Sequence, residues 1–342
     1  MEKKRLLSLD VLRGLTVFGM IVVNNAGGSQ SYESLRHSAW NGLTPCDLVF
    51  PFFLFIMGIS TYIALRKFDF QPSAPVIRKI LKRTVFILLI GWAIGWFDFA
   101  CEGDFFPFAH LRLTGVLPRI ALCYCVASLL ALYVNHKRLA WIAGILLVGY
   151  AVLLCMGNGY ACDETNILSV ADRGILGTDH LYRKSPIDPE GLVSTLSAIA
   201  HTLIGFCCGA LMLKKGISLE TRILKLAVTG FLLMAVGFLL TEAFPLNKRI
   251  WSPTFVLVTC GLAAMLQATL TYFIDLKGKK DWCRFFEVFG VNPLFLYVLS
   301  EVVAIVISAT ESKPVVYGVI HSCISDPYLA SACYSLLFAL VM

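Results

Sequence analysis

The sequence predicts an all-α protein, a polytopic transmembrane helix bundle of about ten helices. Three observations predict it. Of the 342 residues, 58% are hydrophobic and 15% charged, against roughly 45–50% and about 25% in soluble domains. The mean hydropathy is +0.76. Apolar stretches close to the ~20 residues a helix needs to cross the hydrocarbon recur along the chain, separated by short polar gaps. A soluble core of this apolarity would lack the charge to cover it.

The runs fall at 11–27, 47–66, 80–98, 111–134, 139–156, 192–213, 223–241, 252–275, 286–307 and 327–342. The first follows a basic start, as in a signal peptide. Asp10 and Arg13 interrupt it and no small-residue cleavage site follows, so it reads as an uncleaved helix. The third contains Gly91-x-x-x-Gly95, a pattern that allows close helix approach. The fourth carries Arg119, the sixth His201, and the ninth Glu301. Asn292-Pro293 in the ninth frees backbone groups and predicts a kink. The tenth reaches Met342 without a basic tail. That leaves two readings, a chain that continues or an end capped by lipid and neighbours.

Alternating the runs from a cytoplasmic N-terminus sorts the charges. Lys3, Lys4, Arg5 and Arg13, the cluster at 66–83, and the basic pairs and triplets near 137, 214, 222 and 279 share one side. They make up twenty of the 29 basic residues. Glu33, Asp104, Asp163, Glu164, Asp172, Asp179, Asp188 and Glu190 face the other. This bias predicts a cytoplasmic N-terminus. The net charge of +7 is spent on topology, and with no basic stripe or binding motif a nucleic-acid partner is excluded. Two outer loops stand out, 28–46 and 157–191. The longer carries turn signals at Asn158-Gly159 and Asp188-Pro189 together with apolar and aromatic residues, which predicts an ordered cap. Of twelve cysteines, seven lie inside apolar runs and behave as small hydrophobes. Cys46, Cys101, Cys162 and Cys323 face outward, where a bridge is open but nothing selects partners. No spacing suggests zinc, and no metal is expected.

His37 is the centre of the candidate chemistry. It lies between the first two runs, and with an ordinary pKa near 6.5 it can act as a neutral base. Asn24 and Asn25 end the first run and Asp47 opens the second. An Asn amide can donate to a developing oxyanion, and Asp47 can orient the imidazole. The competing reading makes His37 a surface loop residue and Asp47 a helix N-cap.

Several blocks carry a family resemblance: RLLSLDVLRG at 5–14, HSAWNGLTPCDLVFP at 37–51, FIMG at 55–58, LRLTGVLPRIALCY at 111–124, DPEGLVSTL at 188–196, PLNKRIW at 245–251 and FGVNPL at 289–294. In this order the chain resembles the heparan-α-glucosaminide N-acetyltransferase family over essentially its whole length. The His-x-x-Trp-Asn-Gly-Leu block is the most specific. The resemblance implies a single transmembrane acyltransferase domain over 1–342, with loops 28–46 and 157–191 capping the site. It implies transfer of acetyl from cytosolic acetyl-CoA, the co-substrate, to the amino group of a glucosamine on the far side. His37 matches the family's catalytic histidine and Asn24 its asparagine, with a small length difference in the loop between them. The lysosomal members carry a further N-terminal lumenal domain, so the resemblance implies a compact bacterial form in the cytoplasmic (inner) membrane. A free amine must attack the thioester, so a base is required near the outer face. His37 fills that role directly or through an acetyl-imidazole, and direct transfer in a ternary complex is the simpler route.

Ionisable groups inside helices are costly and mark cavities or partners. Arg119 is read as contacting the cofactor or a carboxylate such as Asp47, against a structural ion pair. His201 and Glu301 read as bonded core residues. Asp10 and Arg13, three apart, share a face. They pair with each other, or Arg13 holds a CoA phosphate with help from Arg5 and the 78–83 cluster, whose members otherwise read as topology anchors. Trp40, Asn41, Asp188, Glu190, Asn247 and Lys248 are read as substrate-binding. Capping of the sixth helix is the competing reading of Asp188 and Glu190, and Trp251 reads as a membrane-belt aromatic. The acceptor is an aminosugar or a glycan end, the lipid bilayer is a partner, and a homodimer is open. Competing functions are an O-acyltransferase acting on a cell-envelope glycan and a secondary sugar transporter. The second lacks the internal repeat that transporters often show.

Overall fold

The computed structural model describes residues 6–183 and 185–342, and every regular element among them is helical. Arg5 lies outside the described residues. In chain order the helices are α1 (Leu7–Asn24), α2 (Val49–Arg66), α3 (Ala74–Cys101), α4 (Val116–Tyr133), α5 (His136–Met156), α6 (Ile167–Leu176) and α7 (Thr195–Met212). They continue with α8 (Leu219–Leu239), α9 (Pro253–Leu270), α10 (Cys283–Val291), α11 (Pro293–Ala309), α12 (Ser312–Cys323) and α13 (Pro327–Val341). Eight of the described helices are long and apolar enough to span a bilayer. A ninth element is the pair α10 and α11, bent by 80° at Asn292. With the shorter apolar α13 these correspond to the ten expected runs. The chain is an integral, multi-pass helical membrane protein.

The differences have physical reasons. Helix α1 begins four residues before the expected run because Asp10, only 5% exposed, pairs with Arg13 at 2.9 Å inside the helix. Helix α3 extends back to Ala74, with Pro75 in its first turn, where a missing N–H costs nothing. Segment 111–115 is not helical, because Gly115 sits at φ +137° and Leu113 donates its N–H to the His180 carbonyl. The kink at Asn292-Pro293 is an abrupt joint, and α6 and α12 are additional short helices.

Loops expected on one side are bonded to one another. Trp40 Nε1 donates to the Tyr160 carbonyl, Gly42 N–H to the Leu246 carbonyl and Arg112 to Asp188. At the opposite end His136 packs on Phe70 and Phe206. Chain ends therefore alternate as the charge pattern requires. The two ends of the bundle are called here the His37 end and the Arg13 end.

Trp251 corrects one expectation. It is not a belt aromatic, since it is 1% exposed. It packs edge-on against Phe50 and Phe255 and lies under the Arg119 guanidinium. The turn before α9, closed by Trp251 N–H donating to the Lys248 carbonyl, folds the indole inward. The core is centred on α2, α7 and α9, with thirteen buried residues in α7 alone. Gly91 packs on Leu117 and Pro118 of α4. In the close crossing of α2 on α7, Gly58 faces the Thr202 carbonyl and Gly205 the Phe55 carbonyl with no room for a Cβ. Because the obstacle is backbone, a side chain there must separate the helices. Gly205→Val is expected to cost about 3 kcal/mol or more, read as a lowered melting temperature of the detergent-solubilised protein.

Candidate active site

The 28–46 loop and the start of α2 build the centre. Thr44, Pro45 and Asp47 form a reciprocal capping box, which turns the Asp47 carboxylate back under the loop. That carboxylate is fully buried. Its Oδ2 accepts from Ser38 N–H and Thr44 N–H, each at 3.1 Å, and from Thr44 Oγ1 at 3.0 Å. Its Oδ1 lies 2.8 Å from His37 Nδ1 and 3.2 Å from Lys248 Nζ. A carboxylate accepts, so it draws the imidazole proton to Nδ1 and leaves Nε2 as the basic nitrogen. Lys248 Nζ lies 3.0 Å from Nδ1, but a protonated Nδ1 cannot accept, so the ammonium is directed to Asp47. The Cys46 thiol, 2% exposed, touches the ring at 3.1 Å. All twelve cysteines are free thiols.

The His37 side chain is 51% exposed, and it stands at a mouth. A cavity of about 440 Å³ begins among His37, Asn24, Cys46, Glu190 and Lys248 and ends among Arg13, Ser60, Thr61 and Arg83. Between them the wall is apolar, with Met20, Phe50, Phe53, Ile56 and Met57. Arg13 and Asn24 are eleven residues apart on α1, about 16 Å along its axis. The chamber therefore reaches through much of the bundle.

The remaining expected site residues divide. Arg13 lines the chamber and donates to Asp10, the Gly290 carbonyl and Ser60 Oγ, which fastens α1 to α2 and α10. Asn24 lines the mouth, and its amide donates to Glu301 on α11 at 3.5 Å. Glu190 reaches the chamber, while Asp188, 4% exposed, does not. Arg112, which sequence reasoning passed over, bonds both acids. Asp188 also accepts from Thr114 Oγ1, Tyr182 N–H and Glu190 N–H, and this donor set holds its carboxyl below the usual range despite burial. Trp40, Asn41 and Asn247 sit outside the chamber lining and knit the loops, Asn247 donating to Asn41 at 3.0 Å. Arg119 also lies outside the lining. It is 1% exposed and donates to the Gly191 carbonyl and Ser194 Oγ, and its partner is not Asp47. His201 is fully buried beside Trp251.

Residues 5–184 match the family model described as heparan-alpha-glucosaminide N-acetyltransferase, catalytic. The chain belongs to this family. Two relatives of that name align across 87% of the chain, the human protein at 27% identity and the mouse protein at 25%. Each is covered over 53% of its own length, so the chain spans about half the length of the relatives it matches. The match to the heparan-alpha-glucosaminide N-acetyltransferase model takes in α1 to α6 and hence His37, Asn24, Asp47 and Arg13. Glu190, Lys248 and the α11 wall of the chamber lie beyond it.

Behind the mouth, Asp172 of α6 is 1% exposed, accepts from Val193 N–H at 3.1 Å and faces Gly191. Burial, with a contribution from the charge of Asp188, pushes it up from 3.8 to about 6. The fold favours the protonated acid, so its stabilisation is complete below pH 3.8 and is lost as pH rises through about 6. Asp172→Asn keeps the Val193 bond and removes the titration. Melting temperatures between about pH 4 and pH 7 should then fall less steeply for the variant than for the wild type.

Proposed function

We propose that this protein is an acetyl-CoA-dependent N-acetyltransferase that passes an acetyl group through the bilayer to the amino group of a glucosamine-type sugar or glycan end. The observation that carries this reading is the single chamber with arginines at one end and an Asp-oriented imidazole at the other. Membership of the heparan-alpha-glucosaminide N-acetyltransferase family supports the donor and the acceptor. The positive-inside bias supports placing the Arg13 end in the cytoplasm and the His37 end outside, and the membrane proposed is a bacterial inner membrane. The chamber draws lining residues from both within and beyond the 5–184 segment, which supports treating 1–342 as one catalytic unit.

In this reading the CoA phosphates rest near Arg13 and Arg83, where guanidinium forks suit phosphate oxygens. The narrow pantetheine arm lies along the apolar wall and presents the thioester near Asn24 and His37. Glu190 and Lys248 flank the acceptor at the rim. The sugar ammonium first releases one proton to solvent, and His37 Nε2 takes a second from the nitrogen as the free amine attacks the thioester carbon. A C–N bond forms, the C–S bond breaks, and the proton passes from the imidazole to the departing thiolate. Asp47 stabilises the imidazolium in between, and one N–H of Asn24 remains to meet the oxyanion.

With purified protein, acetyl-CoA and glucosamine, release of free CoA followed with a thiol reagent is expected to depend on glucosamine. His37→Ala should lower kcat about 10²–10⁴-fold. Asp47→Asn should also lower kcat, since it permits the wrong tautomer. Release that persists in His37→Ala, or uptake of labelled sugar into proteoliposomes without acetylation, would overturn the assignment. Among the described residues Arg83 makes no ion pair, and it lies over the Tyr124 ring at 4.7 Å. Arg83→Gln should raise KM for acetyl-CoA by about tenfold with kcat little changed, the signature of lost uniform binding.

A further inference from the structure

We propose that the first half of α3 is a binding site for an anionic phospholipid. Helix α3 has two unlike faces. Val76, Ile80, Thr84 and Ile87 are its only buried residues and form the stripe against the bundle. On the opposite stripe, at spacings of three and four, lie Arg78, Lys82, Val85, Phe86 and Leu89. The two cations are exposed, and the three apolar side chains are 51%, 59% and 54% exposed. Charge thus gives way to bare hydrocarbon along one line.

At the head of this line Ala74, Pro75, Arg78, Lys79 and Lys82 enclose a recess of about 320 Å³. Among the described residues none of these three cations has a carboxylate at ion-pair distance. Lys79 has only the Phe68 ring beneath it, 5.7 Å away. Ser73, in the N-cap position, makes no side-chain cap bond, so N–H groups of the first turn add their dipoles to the same recess. Three unpaired cations at a helix start match a phosphate-bearing headgroup.

The exposed stripe selects the source of that phosphate. Arg78 to Leu89 spans about 16 Å, close to half of a ~30 Å hydrocarbon core and so to the depth of one leaflet. A phosphate held at Arg78 and Lys82 lets an acyl chain run down Val85, Phe86 and Leu89. A free phosphate would leave that stripe unexplained. A zwitterionic lipid would bring its own ammonium against the three cations.

The test uses the full chain released from mixed micelles and native mass spectrometry, titrated with phosphatidylglycerol or with phosphatidylcholine of the same chains. Phosphatidylglycerol should bind at a concentration at least about thirtyfold lower, as two or three juxtamembrane cations imply. Arg78→Gln with Lys82→Gln should abolish that preference, and each single variant should weaken it. Lys137→Gln with Arg138→Gln, a basic pair elsewhere, should leave it intact. Equal retention of the two lipids, or a preference unmoved by Arg78→Gln and Lys82→Gln, overturns the proposal. So does displacement of phosphatidylglycerol by millimolar inorganic phosphate or CoA, which would make the recess a site for soluble phosphates. None of these readouts depends on the transferase reaction.

Discussion

A carboxylate with no exposure to solvent needs donors on both oxygens, and Asp47 has them from the loop it closes and from a lysine 201 positions further along the chain. Burying an ionised acid unpaired is prohibitive, so the acid dictates where the loop, the imidazole and Lys248 must be. Removing it would release Thr44, Ser38 and His37 together. The mouth of the chamber is therefore a consequence of satisfying one charge. The tautomer that leaves Nε2 basic follows from the same constraint.

The loops at that end are held by a second set of polar ties. Arg112 clamps Asp188 and Glu190, Asn247 meets Asn41, and the Trp40 indole hangs from Tyr160. Arg112, Asp188, Asn41, Asn247 and Trp40 lie outside the chamber lining, yet their ties hold the loops that carry Glu190 and Lys248 into it. Residues read from sequence as touching a sugar are here divided into those that face the chamber and those that hold the former in place. Both kinds are hydrogen-bonding side chains in outer loops, and the two acids, Asp188 and Glu190, fall on opposite sides of the division, so residue type cannot separate them.

Much of the fold was legible because the bilayer imposes a length on every crossing. Ten apolar runs announced themselves, and the Asn-Pro pair marked the joint between α10 and α11. What escaped the sequence depended on tertiary context. Helix α6 is a ten-residue amphipathic piece in a polar loop, too short to stand out, and α12 has only a short apolar middle, Val315 to Ile320, between polar ends. Trp251 looked like an interfacial aromatic because polar residues flank it, but its turn folds inward. Arg112 stood within the 111–124 block, at the edge of an apolar run, but nothing local pointed to Asp188 and Glu190 as its partners. The pairing of Asp10 with Arg13 was legible because both lie on one helix face. The meeting of His37 with Lys248 was not, since nothing local encodes a contact across 211 residues.

The walls of the chamber differ in stiffness. Helices α2 and α7 touch backbone to backbone through glycines, and a seam without intervening side chains has nothing to rearrange. Helix α11, on the other side, has only Leu296 and Ser300 buried and hangs from an 80° joint. Sparse packing is where a structure yields first. Any breathing of the chamber is therefore expected on the α11 side, while the α2–α7 seam holds its shape.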